Sequence, residues 1–404
     1  MKRFPRRRVA LVFFLIIIFL YLRSSSRSGT TSLSPSTSFR TSLRTPATPA
    51  AFSEPAQDYE ATIESAISHY GFIRGISAFQ PDGLSKHLVI PRTSSDDVSW
   101  TTLLPGWLNM TPKIYHIPSS HSAPVSPGVL TVPANKGNEA MTYLTYIISH
   151  YDMLPDIVIF THSGIEQWHN NPLQLFSTPI ILREFNYKRV SKRGFVNLRC
   201  QGDPGCPDWI KPAGVKRPDT RKMEEWFIAR AWGELFPDKE VPEKLAAPCC
   251  AQFAVTREAV RRNSKEDYQR WQRWLLWTEL DNKYSGRVWE YLWHYVFGRG
   301  EEDCVEEEVC YCDGFGVCFE GEGLKGHLQL GIQAVGKEST LRVMRKEGLK
   351  KGEDKEAREM VMEQLEKGLG ELTRKLGEQI EGARKRGRDP EVRRREVPEG
   401  EFSG

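Results

Sequence analysis

One apolar run in the middle of the chain constrains its fold more than any other feature. Residues 156–160 read Asp-Ile-Val-Ile-Phe, and such an unbroken run of β-branched and aromatic side chains predicts a strand buried on both faces. A helix with apolar residues at three- and four-residue spacing precedes it, and short β-prone runs at 87–90 and 113–117 precede the helix. This order predicts an α/β fold with a mostly parallel, doubly wound sheet flanked by helices.

The turn after this strand is a candidate site because of its position. In open parallel sheets, ligands bind beyond the carboxyl ends of the strands, and residues 161–164 (Thr-His-Ser-Gly) occupy that place. His162 is the titratable residue of the turn, and it serves either as a functional group or as a hydrogen-bonded turn residue. Further strands are predicted at 194–198 and 249–255.

The N-terminus predicts a route into the secretory pathway. Residues 9–22 carry no charge, and Arg8 and Arg23 bound them. Cations concentrate before this run, which predicts a cytoplasmic N-terminus and a remainder in the lumen of the Golgi or endoplasmic reticulum. Residues 1–23 are then the cytoplasmic tail and signal anchor of a single-pass type II membrane protein, held in the membrane through residues 9–22. The run is shorter than the roughly 20 residues of a usual span, so a cleaved signal peptide and a secreted protein are the alternative.

Composition divides the rest of the chain into three parts. Residues 24–58 are rich in Ser, Thr and Pro and cannot bury a core, which indicates an extended stem or a plain linker. Residues 59–318 are predicted to form the lumenal α/β domain, and residues 319–404 a charged tail that is partly helical or disordered. Apolar residues between 362 and 380 follow helical spacing, so this C-terminal charged helix is predicted to pair with a second copy as a homodimer. With a net charge of only +4, no nucleic-acid partner is expected.

All eight cysteines lie between Cys200 and Cys318, inside the predicted lumenal part. In an oxidising lumen, disulfides are the expected state. Cys200 and Cys206 bound a short loop that a disulfide would close. A zinc site at the cluster of Cys304, Cys310, Cys312 and Cys318 is the alternative, although their spacing lacks the usual zinc knuckles.

From about residue 88 to 298 the sequence resembles the fungal domain family of unknown function DUF3431. The resemblance rests on residues 136–141 (Lys-Gly-Asn-Glu-Ala-Met), 154–162 (Leu-Pro-Asp-Ile-Val-Ile-Phe-Thr-His), 194–200 (Gly-Phe-Val-Asn-Leu-Arg-Cys), 249–257 (Cys-Cys-Ala-Gln-Phe-Ala-Val-Thr-Arg) and 285–287 (Ser-Gly-Arg). It covers about half of the chain. The family brings no settled activity, so this resemblance implies a shared domain and leaves the chemistry open.

A second, shorter resemblance concerns residues 254–258 (Ala-Val-Thr-Arg-Glu), the helix after them, and residues 290–293 (Glu-Tyr-Leu-Trp). These are similar to the acceptor half of core-2-type β-1,6-N-acetylglucosaminyltransferases, which are type II Golgi proteins with a GT-A nucleotide-sugar fold. The resemblance implies a GT-A-like sheet, a nucleotide-sugar donor as co-substrate, and a glycan or glycoprotein acceptor. It makes Glu290 the catalytic base, because in that family the matching glutamate takes the proton of the acceptor hydroxyl.

The leaving diphosphate of such a transfer needs positive charge, which a metal on an Asp-x-Asp turn often supplies. Residues 161–163 contain no carboxylate pair, so no metal or other cofactor is predicted, and Mn²⁺ has no support in the sequence. The core-2-type enzymes work without a metal, and basic side chains take its place. The expected substrate-binding residues are Asn135, Lys136, Trp168, Arg183, Arg189 and Arg287.

His294 follows Glu290 by four residues, so the two are expected to share a helix face, as a catalytic or a structural pair. A non-catalytic lumenal or cell-surface binding protein with a degenerate GT-A-like fold is the first alternative to a glycosyltransferase. A hydrolase that uses His162 or His294 as base is the second, but no Gly-x-Ser-x-Gly or His-Glu-x-x-His motif supports it.

Overall fold

A five-stranded mixed sheet forms the centre of the computed structural model, which describes residues 77–118, 128–347 and 354–404. The strand order is β2-β1-β3-β5-β4. The strands are β1 (Lys86–Arg92), β2 (Met110–His116), β3 (Ile157–Phe160), β4 (Phe195–Asn197) and β5 (Phe253–Thr256). β1 pairs in parallel with both β2 and β3, whereas β5 runs antiparallel to β3 and to β4. The α/β class is confirmed, and the sheet is mixed because β5 opposes its neighbours.

The order of the strands creates a reversal point between β1 and β3. The chain leaves β1 to form β2 on one side and returns to form β3 on the other. At such a point the connections diverge and leave a crevice outside the carboxyl ends of the two strands. Because β5 is antiparallel, its first residues lie at this same edge, together with the last residues of β4.

The rest of the described chain is mostly helical. The helices are α1 (Glu139–His150), α2 (Thr178–Glu184), α3 (Tyr187–Arg193), α4 (Met223–Leu235), α5 (Arg257–Val260), α6 (Lys265–Trp277), α7 (Asn282–Glu290), α8 (Trp293–Val296), α9 (Glu307–Phe315), α10 (Gly323–Glu347), α11 (Lys355–Gly387) and α12 (Pro390–Glu396). Short 3-10 turns lie at Ser99–Leu103, Gly106–Leu108, Tyr151–Met153, Pro172–Gln174 and Pro212–Gly214.

Aromatic side chains join the helices to the sheet. Tyr143 of α1 lies 4.6 Å from the ring of Phe160 in β3, and Phe160 lies 5.0 Å from Phe253 in β5. Trp293 of α8 packs against both Tyr143 and Phe253, at ring distances of 5.7 and 5.5 Å. These four side chains are buried. Such rings bury large apolar areas and prefer offset or edge contacts, so they fix the helices against this face of the sheet.

Two glycines, one in the motif at 136–141 and one in the motif at 285–287, allow α1 to pack closely against α6 and α7. Gly137 has a φ of +69°, and a Cβ there would overlap the side chain of Leu275 in α6. A Cβ on Gly286 in α7 would stand 2.7 Å from Nδ2 of Asn138. Both positions therefore need glycine for close approach, and Gly137 needs it for its backbone conformation as well.

Disulfides account for all eight cysteines, so the zinc alternative is wrong. The pairs are Cys200–Cys310, Cys206–Cys304, Cys249–Cys250 and Cys312–Cys318. The expected short loop between Cys200 and Cys206 does not form, because each of the two bonds to the segment around α9 instead. These two long-range bridges close loops of 110 and 98 residues, and each is expected to stabilise the fold by about 2 to 4 kcal/mol.

The described residues group into two units. The larger comprises 77–118, 128–330 and 373–404, and the smaller comprises 331–347 and 354–372. In the larger unit, the end of the chain packs on the domain, where Arg384 Nη1 lies 2.7 Å from Glu184 Oε1. In the smaller unit, Arg345 pairs with Glu366 at 2.6 Å. The predicted helix over 362–380 lies within α11.

The predicted membrane segment at residues 9–22 and the stem at 24–58 lie outside the described residues. Within the described ranges, no helix combines the length and the apolar character that crossing a bilayer requires.

We expect Gly137→Ala to lower the free energy of unfolding by about 1 to 3 kcal/mol, because it adds a clash with Leu275 at a positive φ. The matched control is Gly233→Ala in α4, where a Cβ meets nothing within 4 Å, and which should stabilise the protein by about 0.5 to 1 kcal/mol. Urea denaturation followed by circular dichroism measures both. Equal stabilities of wild type and Gly137→Ala would contradict the packing described.

Candidate active site

A cluster of polar side chains lies at the carboxyl edge of the sheet, where β1 and β3 diverge. It is built from the turn after β3, from residues 249–252 that lead into β5, and from residues 198–200 that follow β4. The first residue of α1 and the last residue of α7 add carboxylates to it. The edge that the sequence predicted as a site therefore does gather titratable groups.

His162 is fixed in the turn after β3 by hydrogen bonds. Its backbone N–H donates to Gln252 Oε1 at 3.1 Å. Its Nδ1 lies 3.0 Å from Gln167 Oε1 and 3.2 Å from Nδ1 of His169. Burial lowers the pKa of His162 to about 4, and burial lowers that of His169 to about 2, with the charges of His162 and Arg199 adding to the effect. Both imidazoles are therefore neutral at pH 7, and His162 is held as a hydrogen-bonded turn residue.

Glu290, the predicted base, lies at the end of α7 in the same cluster. Its Oε1 accepts a hydrogen bond from the backbone N–H of Cys250 at 2.9 Å. The side chain is partly exposed. Burial of the carboxyl and the nearby charge of Glu139 raise its pKa to about 7. A carboxylate with this pKa takes up a proton readily near neutral pH, which is what general base catalysis requires.

Glu139 is the second carboxylate of the cluster, and the sequence reasoning missed it. It is the first residue of α1 and is partly exposed. Burial raises its pKa to about 7 as well. It belongs to the motif at 136–141, but an acidic residue in the first turn of a helix usually serves the helix dipole. The sequence signal that could have pointed to Glu139 was therefore its place in this motif and not its residue type.

Side-chain hydrogen bonds connect the start of α1, which carries Glu139, to α7, which carries Glu290. Lys136 Nζ donates to the carbonyl oxygens of Thr278 and Leu280, at 2.9 and 2.5 Å. The N–H of Asn138 donates to Asn282 Oδ1 at 3.0 Å, and Asn135 Oδ1 accepts from Asn282 Nδ2 at 3.3 Å. The start of α1 is thus tied to the start of α7. Lys136 and Asn135, which were predicted to bind substrate, form the hydrogen bonds that connect the two helix starts.

Arg199 is a buried cation that forms no ion pair with any described residue, and the sequence reasoning missed it too. It is 4 % exposed, and its guanidinium donates to the carbonyl oxygens of Trp168, His169 and Asp203 at 3.0 to 3.2 Å. Its Nε–H has no acceptor among the described residues. Burial lowers its pKa, and the nearby Tyr311, Glu307, Asp203 and Glu290 oppose this. A buried cation without a counterion is suited to bind an anion.

Arg287 and Trp168, both predicted to bind substrate, border the cluster. Arg287 lies one turn before Glu290 on α7, and its Nη1 is 3.4 Å from Glu224 Oε2. Its charge lowers the pKa of Glu290, against the stronger effect of burial. The ring of Trp168 is partly exposed and lies 5.8 Å from the Arg199 guanidinium. Trp168 therefore places a partly exposed aromatic ring beside the Arg199 guanidinium.

The remaining predicted residues lie elsewhere. His294 is buried in α8, with Nε2 3.3 Å from the carbonyl oxygen of Glu301. The expected helix face shared with Glu290 is wrong, because α7 ends at Glu290 and α8 is a separate turn. Arg189 forms ion pairs with Asp313 at 2.5 Å and with Glu401 at 2.9 Å. Arg183 lies on α2, and its buried Nε has no hydrogen-bond partner in the described part of the chain.

The residues of this edge do not fit a divalent metal. Among the described residues, the one group of clustered metal-ligating atoms comprises Cys249, Cys250 and Glu290. The two cysteines are bonded to each other, so their sulfurs are not thiolates, and one carboxylate remains. The turn after β3 adds His162, whose Nδ1 is occupied by Gln167 and His169. Zinc and magnesium sites need more ligands than this.

The fold and the cluster define an α/β protein with titratable side chains gathered at the carboxyl edge of a mixed sheet. The family model described as a protein of unknown function, DUF3431, matches residues 88–313, and the chain belongs to this family. The match includes Glu139, His162, Arg199 and Glu290. No curated protein and no solved structure matches the chain significantly.

The raised pKa values of Glu139 and Glu290 predict a stability that falls as the pH rises. Their ordinary value is 4.5, so between pH 4.5 and 7 the folded chain retains protons that the unfolded chain has released. The contribution of the two glutamates to the free energy of unfolding is fully present below pH 4.5 and is lost as the pH rises to 7 and above. Relative to a Glu139→Gln, Glu290→Gln double variant, the wild type should lose about 1 to 3 kcal/mol more across this window.

Urea unfolding at a series of pH values measures this difference. Glu258→Gln, at an exposed position on α5, is the matched control and should keep the pH dependence of the wild type. A double variant whose stability changes with pH as steeply as that of the wild type would refute the raised pKa values.

Proposed function

We propose that this protein is a glycosyltransferase of the secretory pathway, which transfers a sugar from a nucleotide-sugar donor to a hydroxyl of a glycan or glycoprotein without a metal ion. The observation that supports this most is the position of Glu290. It is a partly exposed carboxylate at the carboxyl edge of the sheet, with a pKa raised to about 7. The resemblance of residues 290–293 to the acceptor half of core-2-type enzymes gives this carboxylate the role of base.

The proposed reaction uses Glu290 as the proton acceptor. The acceptor hydroxyl oxygen attacks the anomeric carbon, its proton passes to Glu290, and the bond between that carbon and the diphosphate oxygen breaks. The products are the new glycoside and the nucleoside diphosphate, and Glu290 then releases its proton to solvent. General base catalysis of this kind contributes about 10² to 10⁴ in rate.

Glu139 has the role of keeping Glu290 basic. Two carboxylates that interact in a shared site do not both ionise at their ordinary pH, and they titrate as a pair. The charge of Glu139 raises the pKa of Glu290, so near pH 7 the pair holds about one proton to exchange.

Arg199 and Arg287 supply positive charge for the leaving diphosphate. Arg199 is buried and has an Nε–H without an acceptor among the described residues. Arg287 is partly exposed. Guanidinium groups bind phosphate oxygens through paired hydrogen bonds. In the proposed reaction, Arg199 and Arg287 supply the positive charge that a metal ion on an Asp-x-Asp turn supplies in other enzymes. Trp168 is assigned to the sugar, through stacking on its partly exposed ring.

The proposed compartment rests on the sequence pattern of the N-terminus and is compatible with the disulfides. Residues 9–22 are proposed as the membrane anchor of a type II protein in the Golgi or endoplasmic reticulum. All cysteines of the chain are paired, which suits an oxidising lumen. The helix over 362–380 is proposed to join two copies of the chain.

A non-catalytic carbohydrate-binding protein is the second candidate. The observation in its favour is the turn after β3, which carries no carboxylate and whose His162 is already held by Gln167 and His169. On this alternative the polar edge binds a glycan without transferring a sugar.

The first measurement is the thermal stabilisation of the full chain, purified in detergent, by a panel of UDP- and GDP-sugars with and without Mn²⁺. We expect one donor to raise the Tm without Mn²⁺, and Arg287→Gln to reduce this shift. Stabilisation by glycans alone, and by no donor, would favour the binding protein.

Glu290→Gln should lower the release of nucleoside diphosphate in the presence of acceptor by about 10² or more, because the base is lost. Donor-induced stabilisation should remain, since the amide keeps the size of the side chain. The exposed Glu258→Gln serves as control and should retain full turnover. Turnover of Glu290→Gln within twofold of the wild type would remove Glu290 from the role of base.

A further inference from the structure

A cavity of about 270 Å³ lies at the opposite edge of the sheet from the polar cluster. It is bordered by Lys86, where β1 begins, by the segment 77–82, by residues 185–188 that lead into α3, and by α12. Its volume is close to the lower end of the range for small-molecule pockets, roughly 300 Å³. None of the residues proposed for glycosyl transfer borders it.

Arg393 of α12 gives this cavity a buried cation that has no ion pair within residues 77–118, 128–347 and 354–404. The residue is 3 % exposed. Its Nη1 donates to the carbonyl oxygen of Gly387 at 2.6 Å, and its guanidinium lies 4.8 Å from the ring centre of Phe79. Its Nε–H has no acceptor among the described residues. Asp313 and Asp389 act on it at a distance, but neither forms an ion pair with it within the described part. Burying a cation in this way is costly unless an anion joins it.

The other charges of the cavity are unequal. Lys86 is neutralised locally, since its Nζ lies 2.6 Å from Asp82 and also donates to two carbonyl oxygens. Lys188 and Arg388 also border the cavity, both are exposed, and neither has an ion-pair partner among the described residues. The carboxylate of Gly404 also borders the cavity. Arg393, Lys188 and Arg388 outnumber it and therefore leave the cavity an excess of positive charge.

An aromatic side chain borders the same cavity. Trp107 is 44 % exposed, so part of its indole remains open. Phe79 and Tyr187 also border the cavity, but Arg393 covers the first ring and Lys86 lies 4.7 Å from the centre of the second. Trp107 is thus the aromatic surface that a ring of a ligand is free to contact.

We propose that this cavity is a second binding site, for a small phosphomonoester that carries a ring. The phosphate would accept hydrogen bonds from Arg393, Lys188 and Arg388, and the ring would lie against Trp107. Paired, charge-assisted hydrogen bonds make arginine the preferred residue for phosphate. The site is independent of the proposed glycosyl transfer, because it lies at the other edge of the sheet.

Isothermal titration of the full chain in detergent, with inorganic phosphate and with phenyl phosphate as probes, tests this proposal. Both should bind saturably, and phenyl phosphate should bind more tightly. Lys188→Gln with Arg388→Gln should weaken both probes about tenfold or more, because charge-assisted hydrogen bonds are lost. Trp107→Ala should remove the advantage of phenyl phosphate over phosphate.

The matched control is Lys216→Gln with Arg217→Gln, which removes the same charges at exposed positions outside the cavity. It should bind as the wild type does, and so should Glu290→Gln, which separates this site from the proposed active site. Absence of saturable binding, or equal weakening by both double variants, would overturn the proposal. Sedimentation with phosphatidylcholine vesicles, with and without phosphatidic acid, distinguishes a lipid headgroup from a free ligand, and binding to vesicles alone would also overturn it.

Discussion

The contact between the start of α1 and the start of α7 determines the candidate active site. Gly137 allows α1 to approach Leu275, and Gly286 allows α7 to approach Asn138. The hydrogen bonds of Lys136 to the carbonyl oxygens before α7 fasten the same junction. With both helices fixed there, the first residue of one and the last residue of the other bring two carboxyl groups together. Two of the motifs on which the family resemblance rests, at 136–141 and 285–287, contribute to this junction.

The site combines two partly exposed carboxyl groups with a buried guanidinium group and does not pair them. Glu139 and Glu290 have no ion pair among the described residues, and neither has Arg199. Unpaired charges that are partly or wholly removed from water are costly to the folded state, and the two carboxyl groups have raised pKa values. Structures that keep such an arrangement commonly use it for chemistry or for binding. This cost is the physical basis for assigning function to the carboxyl edge and not to the ion pairs of Arg189.

The sequence predicted those parts of the fold that depend on local patterns. The strand at 156–160 is β3, and the runs at 87–90 and 113–117 fall on β1 and at the end of β2, because apolar runs and their spacing mark strands directly. The antiparallel direction of β5 was not predictable, since it depends on pairing between segments far apart in the chain. The disulfide partners of Cys200 and Cys206 depend on the position of α9 in the same way.

For the site, the sequence led to Glu290 and His162 but not to their neighbours. Glu290 was found through a resemblance, and His162 through its place after a buried strand. Glu139 looks like an ordinary acidic residue at a helix start, and Arg199 looks like one of many surface arginines. Only the packing shows that both are drawn into the cluster. His294 was placed with Glu290 because four-residue spacing suggests a common helix face, and the end of α7 at Glu290 breaks that helix.

The central claim is that Glu139 and Glu290 form an interacting pair of carboxyl groups at the carboxyl edge of the sheet. Carbon-detected NMR titration of the glutamate side-chain carboxyls, in the wild type and in Glu139→Gln, tests it most directly. Two carboxyl signals with midpoints near pH 7 are expected in the wild type, and a lower midpoint for Glu290 once Glu139 is replaced. If all glutamates titrate near 4.5, or if the Glu290 midpoint is the same in the variant, the claim is wrong.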